Sequence, residues 1–415
     1  MSRSTSTSAV GSAGDGSLRR RFLFGLYAAA VFLYWVSLYL YVPTLPVYVQ
    51  SKTDNLALVG VILSMYGLWQ AIIRLPLGIV VDWFGWRKPF VVAGFVLAGL
   101  GAVATGTAND ATGLLVGRTI TGLAASIWVV LVVAFSSLFP ANEAVRASAL
   151  LALVASFARM LATGATGWLN ELGGYPLAFF LAGGAAALAI IIVLPMPEKR
   201  RPSQAPSVRG IGHLVLRQDV LLPSLLSAVG QYSNWTVTFG FLPILAKQLG
   251  ATDVVQSILV AMNIGLVTLG NLTATAIVRR VGVKPLVCLS FLLMSFGAGE
   301  LAFASSLLAV FFAQLCMGLS QGIGYPLLMG MSIEYVAEEE RTTAMGLHQA
   351  VYAIGMFSGP WLSGILADAM GLRPMFLATS LSCLTMGLLG TRKLVQTKRE
   401  DGSRKTAPKK HAHHS

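Results

Sequence analysis

Apolar residues along this chain come in runs of about twenty, the length of helix that crosses a bilayer, separated by short polar breaks. Such runs lie near 23–45, 57–81, 89–107, 112–137, 145–169, 176–195, 221–246, 254–278, 285–304, 307–331, 344–366 and 374–391. They predict an all-α integral membrane protein of twelve transmembrane helices, because a helix satisfies every backbone polar group within one such run. Inside several runs the sparse polar residues keep helical phase. Tyr66, Gln70 and Arg74 recur at intervals of four in the second run, and Ser156, Arg159, Thr163 and Thr166 share an arc of the fifth. Arg118, Gly122 and Ser126 do so in the fourth, Gln231, Asn234 and Thr238 in the seventh, and Gln314 and Gln321 in the tenth. These stripes are expected to face the bundle interior and not the lipid.

The chain also repeats itself at an offset of about 196 residues. Arg146, Gly164 and the GGYPLAFF that follows are answered by Arg341, Gly359 and MGLRPMFL. Arg118 and Gly122 fall on Gln314 and Gly318, and Leu45-Pro46 on Leu242-Pro243. Two pseudo-symmetric six-helix bundles are implied, 23–195 and 221–391, joined by a Pro- and Arg-rich linker at 196–220. The tails, 1–22 and 392–415, read as disordered and cytoplasmic.

Composition excludes a soluble globular protein: 55% of residues are hydrophobic and 11% charged, with a mean hydropathy of +0.71. The net charge of +13 comes from Lys and Arg that mostly fall in segments on the N-terminal side of the membrane, while Lys52, Lys247 and Arg373 fall on the other. By the positive-inside rule both termini are cytoplasmic, in a cell membrane of plasma or bacterial inner type. A basic cytoplasmic face suits anionic lipid and requires no nucleic acid. The first run is too long for a signal-peptide core and lacks a cleavage site, so it reads as a retained helix. Cys288, Cys316 and Cys383 all fall inside runs and predict no disulfide framework. No nucleophile–base pair or metal-ligand spacing appears, so neither an enzyme nor a resident metal or cofactor is expected; the His-rich C-terminal tail reads as unstructured.

Residues 78–88 read GIVVDWFGWRK. The pattern G-x-x-x-D-x-x-G-x-R-[KR] is filled by Gly78, Asp82, Gly85, Arg87 and Lys88, in the short basic loop between the second and third runs. The chain therefore resembles the major facilitator superfamily, and the whole span from 23 to 391 is similar to its twelve-helix drug:proton antiporter-like branch. That resemblance implies a substrate site between the two bundles near the midplane, alternating access by rocking, and a monomer. It also implies that the loop latches one conformation, with Asp82 accepting from a helix N-terminus or pairing with a loop arginine; Asp82 could alternatively only cap a turn. The second-half counterpart is eroded, with Gly282 matching Gly85 but Arg279 and Thr275 in place of Asp82 and Gly78. The antiporter pattern G-x-x-x-G-P is broken in the fifth helix, where Ala165 follows Gly164, and intact in the eleventh at Gly355, Gly359 and Pro360.

Arg74, Arg118 and Arg159 lie within apolar runs, and an arginine at the bilayer centre costs at least about 2.5–3.5 kcal/mol. Of the 17 acids, only Glu300 falls well inside a run, the ninth. The natural partner for three cations without counter-ions is an anionic or zwitterionic substrate. The alternative is that each arginine snorkels, pairs with a loop acid or ties helices together. Candidate substrate contacts are Tyr34, Tyr66, Gln70, Arg74, Arg118, Arg159, Gln231, Asn234, Gln314 and Gln321. Candidate coupling groups are Asp82, Glu300 and His348, though a lone histidine is more often a packing residue. The leading reading is a proton-coupled exporter of a small organic molecule, either a drug or a carboxylate-bearing compound such as an opine-type metallophore. Import of an organic anion, and a non-transporting membrane receptor, are the rivals.

Overall fold

The computed structural model describes residues 9–136, 144–198, 209–337 and 340–394, without the side chains of 9–21, 82, 136, 144–149, 209–211 and 342. The described residues are helical almost throughout. In chain order the helices are α1 (Ala9–Tyr39), α2 (Leu45–Gln50), α3 (Leu56–Phe84), α4 (Lys88–Gly106), α5 (Ala111–Ala125), α6 (Trp128–Ser136), α7 (Ala144–Val193) and α8 (Arg209–Leu216). They continue with α9 (Gln218–Thr236), a π-helical turn (Val237–Phe241), α10 (Leu242–Gln248), α11 (Asp253–Val281), α12 (Val283–Phe303), α13 (Leu307–Glu334), α14 (Arg341–Met370) and α15 (Leu372–Lys393).

Ten helices among the described residues are long and apolar enough to cross a membrane. One of them, Leu150–Val193, has 44 residues, too many for one crossing, and its backbone leaves helical geometry at Gly173 and Gly174, just before Pro176. The path from α9 through the π turn to α10 is interrupted and is not among the ten. The ten candidates fall two short of the expected twelve, and the difference lies at that interrupted path and at the kinked helix.

Some boundaries differ from expectation. Helix α1 extends back to Ala9, while its membrane-crossing stretch, Phe22–Tyr39, starts where the run near 23 was expected. The first crossing ends at Tyr39, and Pro46 opens the short separate helix α2, because proline suits a first turn and not an interior. The expected linker contains the helix α8; its core lies outside the described residues, as do most of the C-terminal tail and the side chain of Arg146.

Polarity is inverted relative to a soluble protein. Leu100, Ile191, Leu272, Phe296 and Leu389 stand on outer faces, each more than half exposed, while Gln70, Arg118, Gln231, Asn263 and Gln314 are buried. Lipid tolerates the first set, and the second can be accommodated only where other helices supply partners.

The helices before α8 meet those after it backbone to backbone from the end remote from the 78–88 loop, at Gly60, to the middle of α3, where a Cβ on Gly67 would lie 2.5 Å from both the Met356 carbonyl carbon and the Phe357 nitrogen. A Cβ on Gly60 of α3 would lie 2.8 Å from the Cα of Gly364 in α14 and would also strike the Pro360 carbonyl oxygen, so two backbones touch there. Beside that contact the Leu56 N–H donates to Asp368 Oδ1 at 3.0 Å, placing a carboxylate on the N-terminus of α3, where the helix dipole favours it. Between α7 and α11, Asn170 Nδ2 donates to Asp253 Oδ2 at 2.9 Å and the Gly167 N–H to Ser257 Oγ at 2.7 Å. Toward the loop end the approach loosens: a Cβ on Gly78 would meet nothing within 4 Å, and one on Gly346 only the Leu75 side chain at 3.7 Å.

Replacing Gly60 by leucine should prevent this seal. Overpacking costs about 1–3 kcal/mol, enough to shift a two-state balance roughly ten- to hundredfold. The expected readout is faster labelling of a cysteine introduced at Asn234 by an impermeant thiol reagent; unchanged labelling would show that the contact does not set the balance. Asp368→Ala should act in the same direction but more weakly, by about 0.5–2 kcal/mol for a lost cap.

Candidate functional site

The 78–88 loop is built from two helix ends. Gly85 adopts φ 74°, a left-handed conformation that stops α3, and its N–H caps the Val81 carbonyl at 3.0 Å. The chain then enters α4, whose first donors are taken by an acid from elsewhere: the Arg87 and Lys88 N–H groups donate to the Glu198 carboxylate at 2.6 and 3.0 Å. Lys88 reciprocates, its Nζ donating to the carbonyls of Met196 at 2.9 Å and of Leu194, just beyond the end of α7. Anion at a helix start and cation at a helix end both follow the macrodipole. The second half repeats the cationic part, with Lys284 Nζ donating to Arg392 O at 2.9 Å and Leu394 O at 3.2 Å. A motif eroded at Thr275 and Arg279 thus keeps its lysine function. The side chain of Asp82 lies outside the described residues.

The three arginines are held by neutral groups, Arg74 across the two helix sets and Arg118 among residues of the first set. Arg74 donates to Gln349 Oε1 of α14 at 3.0 Å and to Gln70 Oε1, while Gln70 Nε2 is anchored to the Tyr66 carbonyl at 2.8 Å. Gln349 in turn donates to the Tyr325 hydroxyl at 2.9 Å. Arg118 is buried beside Tyr41, its guanidinium 4.6 Å from the centre of the Tyr66 ring, and its Nε and one Nη have no hydrogen-bond partner. Arg159 donates to the Ala155 carbonyl and Ser156 Oγ, both at 3.2 Å, and lies 4.9 Å from the centre of the Trp35 ring and 5.7 Å from that of Tyr39. Among the described residues no carboxylate lies within ion-pairing distance of any of the three.

Aromatic rings carry the contact onward to the second set. Tyr66 stacks on Trp235 at 5.2 Å, and Tyr39 meets Phe239 edge-on at 6.2 Å. Tyr325 and Tyr352, whose rings are 5.1 Å apart, stand within electrostatic reach of both Arg74 and Arg159. Through Gln349, Arg74 of α3 is linked to the Tyr325–Tyr352 pair of α13 and α14.

The other expected site residues divide. Gln231 and Asn234 are buried on α9, each with an amide oxygen that has no partner. Gln231 also lines a small pocket within the second set together with Gln321 and Tyr325. Gln314 Oε1 instead accepts from Thr238 at 3.1 Å and Asn263 at 3.0 Å, a knot tying α13 to the π turn and α11. Tyr34 is completely buried, its hydroxyl donating to the Ala124 and Ala125 carbonyls at 3.2 and 3.1 Å, which pins α1 to α5. His348 is likewise buried: Nδ1 is 3.1 Å from Ser224 Oγ, and Nε2 has no partner. Glu300 sits on α12, which packs against α13 and α15, away from the arginines.

Gln349, Tyr325, Tyr352 and Glu198 were not singled out from the sequence. The first three carried the signal applied elsewhere, since Gln349 and Tyr352 are one turn apart and Tyr325 follows Gln321 by four. For Glu198 nothing in the linear pattern indicates which helix start it reaches.

A helical membrane protein with polar and cationic groups buried between two helix sets, and a helix-capped basic loop at one end, is the form of a solute transporter. The chain belongs to the major facilitator superfamily: the family called Major Facilitator Superfamily matches residues 27–230 and again 224–414. It is thus a secondary active transporter and not an enzyme. It is 25% identical to a protein named multidrug resistance protein MdtH of Aeromonas salmonicida, over 75% of this chain and 79% of that one. It is 20% identical to an uncharacterised MFS-type transporter of Methanocaldococcus jannaschii, over 86% and 96%. Among solved structures it is similar to a POT family transporter in complex with 5-aminolevulinic acid, with a TM-score of 0.76 at 11% identity, covering 88% and 94% of the two chains.

Two substitutions check the structural assignments. Tyr34→Phe should lower thermal stability by about 1 kcal/mol, the net worth of a hydrogen bond, without changing cargo affinity; a lost affinity would return Tyr34 to the binding site. Lys284→Ala should destabilise as much as Lys88→Ala, about 1 kcal/mol each. No effect at Lys284 would show that the second-half contact is idle.

Proposed function

We propose that the protein is an exporter of a small carboxylate-bearing organic molecule, working by alternating access at the interface of two six-helix bundles. The observation that carries this reading is the set of three guanidiniums, Arg74, Arg118 and Arg159, with no carboxylate beside them among the described residues. Glutamine oxygens and ring faces solvate a cation without neutralising it. A cargo carboxylate would supply the missing charge through charge-assisted, forked hydrogen bonds.

With both termini cytoplasmic, the tight end at Gly60 is the outer face and the looser end opens to the cytoplasm. Cargo enters there, and transport requires the Gly60–Pro360 seal to part while the 78–88 loop closes. Export is supported by the similarity to a multidrug resistance protein, and proton coupling would run through His348 or Asp82. A second reading, uptake of the same anion, is favoured by one observation: among the described residues no acid stands beside the arginines to exchange a proton against cargo. Everted vesicles separate the two, because energisation drives accumulation for an exporter and efflux for an importer; saturable binding without flux would indicate a receptor.

Arg74→Ala and Arg159→Ala should each weaken binding of an anionic cargo by about 1.5–3 kcal/mol, roughly ten- to a hundredfold. Arg74→Lys should recover only part of this, since an ammonium lacks the fork. Full recovery by lysine, or a wild-type protein that binds only lipophilic cations, would overturn the reading. Asp82→Asn should impair transport and spare binding, and unchanged transport would remove the latch.

A further inference from the structure

The charges between the two helix sets are distributed on one side only. All three arginines belong to α3, α5 and α7. The facing helices α9, α11, α13 and α14 carry acids only near their ends, and three of these are engaged there. Asp219 is held by Arg217 at 2.6 Å, Asp253 by Lys247 and Asn170, and Asp368 by the start of α3. The fourth, Glu334, is the last residue of α13. What the second set offers between those ends carries no fixed charge: the Tyr325 and Tyr352 hydroxyls, the partnerless amide oxygen of Asn234, and His348, a titratable ring whose Nε2 has no partner and which lies 6.3 Å from the Tyr325 ring.

Among the described residues a positive centre on the cargo would therefore meet no counter-charge and the like charges of Arg74 and Arg159 in a low-dielectric setting, where repulsion is strongest. The apolar surroundings of the guanidiniums are aromatic. Arg159 lies against Trp35 and Tyr39, and the buried Trp35 Nε1 has no acceptor. Tyr66 and Trp235 add a stacked pair across the interface. Ring faces of this kind accept a flat aromatic group and keep a guanidinium fork aimed at a carboxylate.

We propose that the cargo is an aromatic organic acid with no positive centre, its carboxylate held by Arg74 and Arg159, its ring among Trp35 and Tyr39, and its uncharged polar groups met by Tyr325 and Tyr352. This rests on the reading of the arginine region as the cargo site. It narrows the class by excluding zwitterions such as free amino acids, which a site of balanced charge would accept.

Three probes that share one phenyl ring and differ only in charge test it: 3-phenylpropionate, phenylalanine and 2-phenylethylamine. Binding to the purified full-length protein is read by change in tryptophan fluorescence and by ligand-induced thermal shift. The expected result is that 3-phenylpropionate binds at least about tenfold more tightly than phenylalanine, the loss expected from one uncompensated charge contact, and that the amine does not bind. Equal binding of 3-phenylpropionate and phenylalanine overturns the exclusion of zwitterions while leaving the anion reading standing. Binding of the amine alone overturns both, and binding of none of the three overturns the aromatic-acid class. The double variant Arg74→Gln, Arg159→Gln should erase the preference for the acid over phenylalanine. A preference that survives in it, at unchanged thermal stability, places the discrimination elsewhere and overturns the assignment.

Discussion

A guanidinium cannot shed its charge inside a protein, and in an apolar bundle it must be solvated by whatever the neighbouring helices present. Three such groups set the terms on which the helices around them pack. Gln70 turns its amide nitrogen to its own helix so that its oxygen is left for Arg74. Gln349 reaches across from α14 to the same cation and is itself steadied by Tyr325. Arg118 and Arg159 lie over the faces of Tyr66 and Trp35, where the ring quadrupole supplies partial negative charge. None of these partners carries a full charge, so the region retains net positive potential.

That potential sits between helix sets whose contact is unequal at its two ends. One end is closed by backbone touching backbone at Gly60 and by a carboxylate on a helix start at Asp368. The other is bordered by side chains fastened within each half, Lys88 and Glu198 in the first and Lys284 in the second. Fastening helix ends within a half makes it move as a unit, whereas short-range contact between halves can be broken and remade without disturbing either interior. Packed interfaces of this kind have discrete arrangements and do not deform continuously, which suits a carrier that must expose one site to two sides.

The linear order of residues was sufficient for the membrane class, for most crossings, and for the loop at 78–88, because hydropathy over a run of helical length and a fixed motif spacing are local properties. It was sufficient also for the presence of Arg74, Arg118 and Arg159 on polar faces, since helical phase can be counted. Where the prediction ran short, the cause was a local break whose consequence is not local. Pro46 made α2 a separate helix, and the π turn at Val237–Phe241 interrupted the seventh crossing.

Which polar residues serve the region between the halves was decided only in three dimensions. Tyr34 and Gln314 have the same chemistry as Tyr66 and Gln70, yet the Tyr34 hydroxyl and the Gln314 amide oxygen are consumed by contacts within their own half, to Ala124 and Ala125 in one case and to Thr238 and Asn263 in the other. Tyr325, Tyr352 and Gln349 gain their importance from facing arginines that lie far from them in the chain. Glu198 gains its own from reaching the start of α4, 110 positions from Lys88. The sequence by itself determined which helices exist and that uncompensated cations lie among them, because burial in lipid and helical period are read along one strand of residues. Only the tertiary structure decided what those cations face, because the partner of a buried charge is chosen by the packing of separate helices.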